Sequence, residues 1–144
     1  MKDVLISIKP QYANLIFNGT KHYEFRKKVP ETCWPDRFYV YSSAPVKKIV
    51  GWFGSHGYGH YTTFDKLWEE TGEWAGIGRE DLKRYCATAN EIFAIPINTF
   101  HRISPVGLSE IGLKSAPQNF CYLTPEQSWK LTLERNPFTA SEDS

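Results

Sequence analysis

The sequence predicts a single α+β domain, a small mixed β-barrel with several short helices around it. Its 144 residues fall within the usual size of one globular domain, and 41% are hydrophobic, which is enough to bury a core. Short strand-like and helix-like segments follow one another irregularly, without the regular alternation of a doubly wound parallel sheet. We therefore expect one domain over residues 1–135 and a flexible polar tail over residues 136–144.

The first third of the chain predicts a strand, a helix and three further strands. Residues 4–8 are an apolar run that ends just before Pro10, a residue suited to the first turn of a helix. Residues 11–18 carry apolar side chains at helical spacing, and Asn18-Gly19 supplies a stop signal. Three later segments, rich in β-branched and aromatic residues and separated by prolines, are expected to form strands: residues 20–27, 37–42 and 46–53.

The rest of the chain predicts three helices and one strong strand. Residues 56–63 contain two glycines and no apolar period, so we expect a flexible loop unless strand pairing orders it. Residues 91–100 have the strongest strand pattern in the chain, and Pro96 favours a sheet edge or a bulge for that strand. The helices are expected over residues 64–71, residues 79–87 and residues 125 to about 134, the last capped by Thr124.

Cysteine usage and hydropathy indicate a cytoplasmic protein with no membrane partner. Cys33, Cys86 and Cys121 are odd in number and widely spaced, which predicts neither a disulfide framework nor a zinc knuckle. No run of 18 apolar residues is present, and the apolar stretch near the N-terminus is too short for a signal peptide.

Positive charge is concentrated at the start of the chain. The formal net charge is +1, yet residues 1–50 hold nine Lys and Arg against four Asp and Glu, a local excess of +5. Such a bias suits a polyanionic partner, and a solvated surface is the alternative explanation. We expect one positive surface beside a binding cleft, formed by Lys27, Lys28, Arg37, Lys47 and Lys48.

Residues 19–26 place several charged side chains where a helix gives way to a strand. In a regular strand His22, Glu24 and Arg26 share one face, and Lys21 joins them only if the chain is still turning there. Charged groups at such a corner are placed to meet a ligand. The alternative is a surface ion pair worth under about 1 kcal/mol.

The spacing G-x-K-x-x-E-x-R, present as Gly19, Lys21, Glu24 and Arg26, resembles the signature of ASCH domains, a branch of the PUA-like superfamily. Two further stretches, residues 41–51 and 117–123, resemble the longer bacterial, archaeal and phage members often labelled predicted transcriptional regulators. The resemblance implies a PUA-like β-barrel with a cleft lined by residues 19–26, and an association with RNA or nucleosides.

The resemblance also raises an enzymatic alternative. Some small ASCH proteins are amidohydrolases that remove the acetyl group of N4-acetylcytidine, using a lysine and a threonine of this segment and a glutamate elsewhere. Lys21 matches that lysine, but Glu24 stands where the threonine nucleophile would be. Glu73 falls roughly where the separate glutamate would come, and a solvated acid is its simpler interpretation.

Other candidate residues carry weaker signals. His56 and His60 have metal-ligand spacing only on a helix, and the glycines between them disfavour one, so neither a metal nor a cofactor is expected. The tryptophans are expected mainly in packing, with at most one on a ligand: Trp52, Trp68, Trp74 and Trp129.

These observations favour a module that binds RNA or a modified nucleoside, with DNA as a further possible partner. Lys21 and Arg26 would engage a phosphate or a base carbonyl, Glu24 would accept from an exocyclic amine, and an aromatic ring would stack on the base. Four lysines are expected to complete the ligand-binding rim: Lys27, Lys28, Lys47 and Lys48. The rival is a small hydrolase with Lys21 and Glu24 as catalytic groups, and a third hypothesis, an interaction protein without nucleic acid, would show a large exposed apolar patch.

Overall fold

The computed structural model describes residues 2–30 and 35–132. Within them, eight strands combine with four α-helices and two short 3-10 turns at Gly72–Trp74 and Leu108–Ile111. The first six elements are β1 (Asp3–Ile8), α1 (Pro10–Phe17), β2 (Tyr23–Arg26), β3 (Arg37–Ser42), β4 (Lys48–Gly54) and β5 (Gly59–Tyr61). The remaining six are α2 (Phe64–Thr71), α3 (Arg79–Cys86), β6 (Ile92–Pro96), β7 (Thr99–Val106), β8 (Phe120–Tyr122) and α4 (residues 125–132).

The strands form two sheets. The larger has the order β7-β4-β3-β1-β8, with β1 parallel to β3 and the other pairs antiparallel, and the smaller has the antiparallel order β2-β6-β5. The α+β class is therefore confirmed. Among the described residues these pairings leave β7 and β8 at the edges of the larger sheet, so no closed barrel is formed there, and the PUA-like barrel stays a prediction.

β1 occupies the centre of the fold because both of its faces are buried. Val4 and Ile6 pack on one side with Ile16 of α1 and with the second sheet, while Leu5 packs on the other side with Leu131 of α4. Each fully buried side chain of this kind stabilises the fold by about 1.5–3 kcal/mol relative to exposure. The C-terminal end of β1, which leads into α1, is thus held rigidly from both sides.

The segment predicted as a strand from residue 20 starts later in the structure. The backbone N–H groups of Thr20 and Lys21 both donate to the Leu15 carbonyl, at 3.0 and 2.9 Å, so the chain is still turning at the end of α1. Gly19 supports this turn with a φ of 85°, a left-handed conformation that favours glycine. β2 therefore begins only at Tyr23.

One expectation about the central region was conditional, and another is wrong. Residues 56–63 were expected to be a flexible loop unless strand pairing orders them, and that condition is met, because they contain β5, which pairs with β6. The predicted single strand at residues 91–100 is two strands, because the chain leaves β6 after Pro96 and enters β7 at Thr99. Pro96 is the last residue of β6, which is the middle strand of its sheet rather than an edge strand. A proline is tolerated there because β5 pairs with β6 only as far as Ala94.

The C-terminal elements were predicted only in part. α4 begins at Pro125, and the Thr124 hydroxyl accepts a hydrogen bond from the Gln127 backbone N–H at 3.1 Å, as expected of its cap. The expected end of this helix near residue 134 and the expected tail at residues 136–144 lie outside the described residues. In the described part of the chain, no helix combines the length and apolar character needed to cross a membrane.

Candidate functional site

A cavity of about 460 Å³ opens where the end of β1, the start of α1, the start of β2 and the helix α3 meet. α1 contributes Tyr12 to its wall, and α3 contributes Asp81 and Tyr85 from successive turns. Its volume lies in the range of about 300–1,000 Å³ usual for ligand pockets. Three of the predicted site residues line it together: Lys21, Glu24 and Arg26.

Lys21 reaches this cavity because the turn after α1 is still in progress there. The next residue, His22, points elsewhere: its ring stacks on Trp74 at 4.8 Å between centroids, and its backbone N–H donates to the Trp74 carbonyl at 2.9 Å. The sequence predicted that Lys21 joins Glu24 and Arg26 only if the chain is still turning at Lys21, and the structure meets this condition. His22, expected on that same face, does not line the cavity.

The Lys21 ammonium group is almost completely buried. Only 3% of the residue is exposed, its Nζ donates to the Ala75 carbonyl at 2.6 Å, and it lies 5.2 Å from the Tyr12 ring centroid and 5.0 Å from that of Phe25. Burial lowers the pKa of Lys21, with Glu24 opposing the shift and Arg26 adding to it. A proton on this amine is thus easier to remove than on a solvated lysine.

Glu24 and Arg26 form a buried ion pair rather than the surface pair considered from the sequence. Their side chains are 9% and 12% exposed, and Glu24 Oε2 accepts a hydrogen bond from Arg26 Nε at 2.9 Å and lies 2.8 Å from Arg26 Nη2. Within the described part of the chain, the second carboxylate oxygen, Oε1, accepts no hydrogen bond. Glu24 can therefore still accept a bond from a ligand.

Arg26 connects three parts of the fold. Besides holding Glu24, its Nη1 donates to Asn119 Oδ1 at 2.8 Å and its Nη2 donates to the Ser7 carbonyl. A guanidinium carries five N–H donors, and three of them make these hydrogen bonds, while Nη2 also lies within ion-pair distance of Glu24. Arg26 therefore positions Glu24 against β1 and the segment before β8.

The aromatic and acidic groups on the far wall were not singled out from the sequence. Asp81 and Tyr85 are four residues apart on α3, the spacing that places two side chains on one helix face. Burial raises the pKa of Tyr12, with Asp81 and Glu24 adding to the shift, and burial likewise raises the pKa of Tyr85. Both phenols therefore remain protonated donors at neutral pH.

The predicted basic residues are distributed more widely than expected. Lys27 lies 4.5 Å over the Tyr85 ring and donates to Thr88 Oγ1 at 2.7 Å, behind the cavity wall. Arg37 lies at the start of β3, whereas Lys48 pairs with its last residue, Ser42. None of these lines the cavity, and neither do Lys28 and Lys47, so a joint positive surface stays a prediction.

The histidines and the remaining acid lie apart from this site. His60 is in β5, where it contacts Glu91 Oε1 at 2.5 Å and stacks on Phe93, while the His56 backbone N–H donates to Asn98. Glu73 is exposed and does not line the cavity. Across residues 2–30 and 35–132, no three His, Cys, Asp or Glu side chains are grouped to hold a metal ion.

The fold, and the segment that carries Lys21, Glu24 and Arg26, define the class of this protein. The family model of the ASCH domain matches residues 6–98, and the chain belongs to that family. It is 26% identical to an ASCH domain-containing ribonuclease of Zymomonas mobilis, over an alignment 136 residues long that covers 90% of each chain.

Solved structures from the same organism share the fold. The crystal structure of the ASCH protein from Zymomonas mobilis superposes with a TM-score of 0.84 at 26% identity, covering 92% of this chain and 94% of that one. A tyrosine-to-phenylalanine variant of that protein also gives 0.84, at 25% identity, covering 92% and 98% of the two chains.

Proposed function

We propose that this protein binds RNA or a modified nucleoside, with a nucleobase held in the cavity beside Lys21 and Glu24. The observation that carries the proposal is the buried Glu24 carboxylate, which Arg26 holds by one oxygen while the other is left to accept. An exocyclic amine of a base would donate to Oε1, and the Lys21 amine would donate to a neighbouring base carbonyl. The Tyr12 and Tyr85 rings supply apolar surface for the base.

The relative that is named a ribonuclease supports RNA as the partner class, since its similarity extends over 90% of both chains. In this proposal the lysines outside the cavity, Lys27, Lys28, Lys47 and Lys48, contact the phosphates of a longer RNA. A PUA-like barrel, a cytoplasmic location and a regulatory role belong to the same proposal.

Hydrolysis of RNA is the second candidate, favoured by the same relative and by the burial of Lys21. Lys21, whose pKa is lowered by burial, would take the proton of a hydroxyl that attacks the phosphorus. The P–O bond to the leaving oxygen would then break, and that oxygen would take a proton from solvent. Amide hydrolysis on a modified nucleoside is disfavoured, because Glu24 replaces the threonine nucleophile and its carboxylate is engaged by Arg26.

The substitution Glu24→Gln separates binding from hydrolysis. It keeps the shape of the side chain but replaces a charged acceptor by a neutral amide, so a binding module should lose about tenfold or more in affinity for its base while remaining folded. A hydrolase in which Lys21 takes the proton should lose turnover and keep its affinity, because the Glu24 charge no longer stabilises the protonated amine. The measurement is mass spectrometry of bound ligands and products after incubation with total RNA and a panel of modified nucleosides.

Glu73→Gln is the matched control, because Glu73 is an exposed acid outside the cavity. Equal affinity and turnover for wild type, Glu24→Gln and Glu73→Gln would contradict any role of the cavity in recognition. Glu24→Thr tests the amidohydrolase alternative, since a gain of N4-acetylcytidine deacetylation would mean that only the nucleophile was missing.

A further inference from the structure

Arg37 is an incompletely paired guanidinium at the start of β3 that lies away from the cavity around Lys21. It sits 5.0 Å over the Trp52 ring, and its Nη1 is 3.9 Å from Asp3 Oδ2. That separation is too long for a hydrogen bond. Its Nε is buried, and within residues 2–30 and 35–132 no atom accepts a hydrogen bond from this side chain.

Such a guanidinium is unusual in a folded protein. Buried donors are almost always satisfied, and each exception calls for an explanation, such as stored strain, ordered water or a bound partner. Asp3 is 8% exposed and lies near Arg37 without forming a direct hydrogen bond, so the guanidinium N–H groups other than that of the buried Nε can donate to a further partner. The 29% exposed fraction of the Arg37 side chain leaves it accessible from solution.

A large exposed aromatic side chain shares the same concave surface. Arg37 lines a cavity of about 300 Å³ together with Trp129 and Ser128 of α4, and Trp129 is 61% exposed. Tryptophan is mostly buried in proteins, and exposed aromatic rings beside a cation are the usual elements of single-stranded nucleic-acid sites. The guanidinium suits a phosphate, the indole suits a stacked base, and the Ser128 hydroxyl adds a polar contact.

We infer that Arg37 and Trp129 form a second contact site for single-stranded RNA, separate from the cavity around Lys21; this inference rests on the proposed function. β1 and β3 run in parallel from Asp3 and Arg37 to the end of the sheet where Ser7 lines the first cavity. Six residues of strand span about 17 Å. A single nucleoside held in the first cavity cannot reach the second site, whereas an extended RNA of several nucleotides can.

The test compares a long and a short ligand on two variants. Binding of a fluorescein-labelled 12-nucleotide single-stranded RNA is followed by anisotropy, and binding of free nucleosides by calorimetry. Arg37→Met and Trp129→Ala should each weaken the 12-mer about tenfold, because each removes one phosphate or stacking contact. Neither should change nucleoside binding. Lys130→Met, which removes a neighbouring charge that does not line this cavity, should change the 12-mer affinity by less than about twofold.

Trp129→Ala keeps the test valid if Arg37→Met alters the fold, because an exposed side chain can be removed without disturbing the core. If both variants bind the 12-mer as tightly as Lys130→Met does, Arg37 is only a solvated ion-pair partner and the inference is overturned. In that case, nucleoside binding that depends on Glu24 would leave the proposed function intact. Loss of 12-mer binding in both variants without nucleoside binding in the wild type would support the second site and reject the cavity. Absence of binding to either ligand would reject both.

Discussion

At the scale of single residues, burial makes the charge on Lys21 unfavourable and therefore dependent on pH. Its pKa is lowered from the ordinary value of 10.5, so between the folded-state pKa and 10.5 the unfolded chain binds more protons than the folded one. Stability linked to Lys21 is accordingly complete above 10.5 and is lost as the pH falls through the folded-state pKa.

We predict that Lys21→Met removes this dependence. The free energy of unfolding of the wild type, relative to that of the variant, should rise as the pH increases from 7 towards 10.5, because the wild type ceases to bury a charge. Urea denaturation at several pH values measures the difference. Lys66→Met is the control: the pKa of Lys66 is raised by its hydrogen bond to Glu70, so its contribution is complete below pH 10.5 and should stay constant over this range. Parallel curves for the wild type and Lys21→Met would contradict the assignment.

Arg26 allows a second test on single residues, because its positive charge compensates the buried Glu24 carboxylate. Arg26→Met leaves Glu24 buried without its partner, and we predict a loss of about 3–5 kcal/mol in the free energy of unfolding. Adding Glu24→Gln to that variant should restore part of the loss, since the uncompensated charge is then gone.

The control for Arg26 is Arg79→Met. Arg79 pairs with Glu80 at 3.0 Å on the surface, where 45% and 72% of the two side chains are exposed. Its removal should cost no more than about 1 kcal/mol. Equal losses for the two arginines in chemical denaturation would mean that the pair between Arg26 and Glu24 is not energetically special.

At the scale of elements, the loop between the Gly72–Trp74 turn and α3 determines how Lys21 is held. Gly76 has a φ of 66°, and a β-carbon built on it would lie 2.6 Å from both Cβ and Cγ of Lys21. The loop thus presses its backbone directly against Lys21, and the neighbouring Ala75 carbonyl receives the Lys21 amine. The position of α3 and that of Lys21 depend on the same glycine.

We predict that Gly76→Ala lowers the free energy of unfolding by about 1–3 kcal/mol, because the new methyl group clashes with Lys21 and the left-handed backbone becomes strained. Ligand binding in the cavity should weaken as well. Gly57→Ala is the matched control, since a β-carbon there meets no atom within 4 Å and its effect should stay within about 0.5 kcal/mol. If Gly76→Ala changes neither the free energy of unfolding nor ligand binding, the loop adapts freely to the added methyl group.

At the scale of the whole molecule, the excess of +5 over residues 1–50 predicts electrostatic binding of RNA. The affinity for a 12-nucleotide RNA should fall steeply between about 50 and 200 mM salt, with a logarithmic slope of about −0.7 for each phosphate contacted on a single strand. An uncharged nucleoside in the cavity provides the control and should bind equally at both salt concentrations. An RNA affinity that does not change over this range would count against phosphate contacts by the basic residues.

Local patterns predicted much of the fold and the centre of the candidate site. Periodicity and end signals predicted the bounds of four elements to within a few residues of the observed ones: β1, α1, α2 and α3. Lys21, Glu24 and Arg26 were predicted together because they belong to one short segment with a recognisable spacing. β7 and β8 were missed, since Pro105, His101 and Arg102 obscure the strand pattern of β7 and β8 is only three residues long.

Local sequence patterns were enough to predict the α+β class, the family and the segment that lines the cavity, because each depends on residues that are close along the chain. The distant residues that join that segment became known only from the fold: Asp81 and Tyr85 across the cavity, and Asn119 on Arg26. It also placed Arg37 and Lys48 at opposite ends of β3, since Arg37 is the first residue of that strand and Lys48 pairs with its last residue, Ser42. Strand pairing and helix packing set these distances, and no local period encodes them.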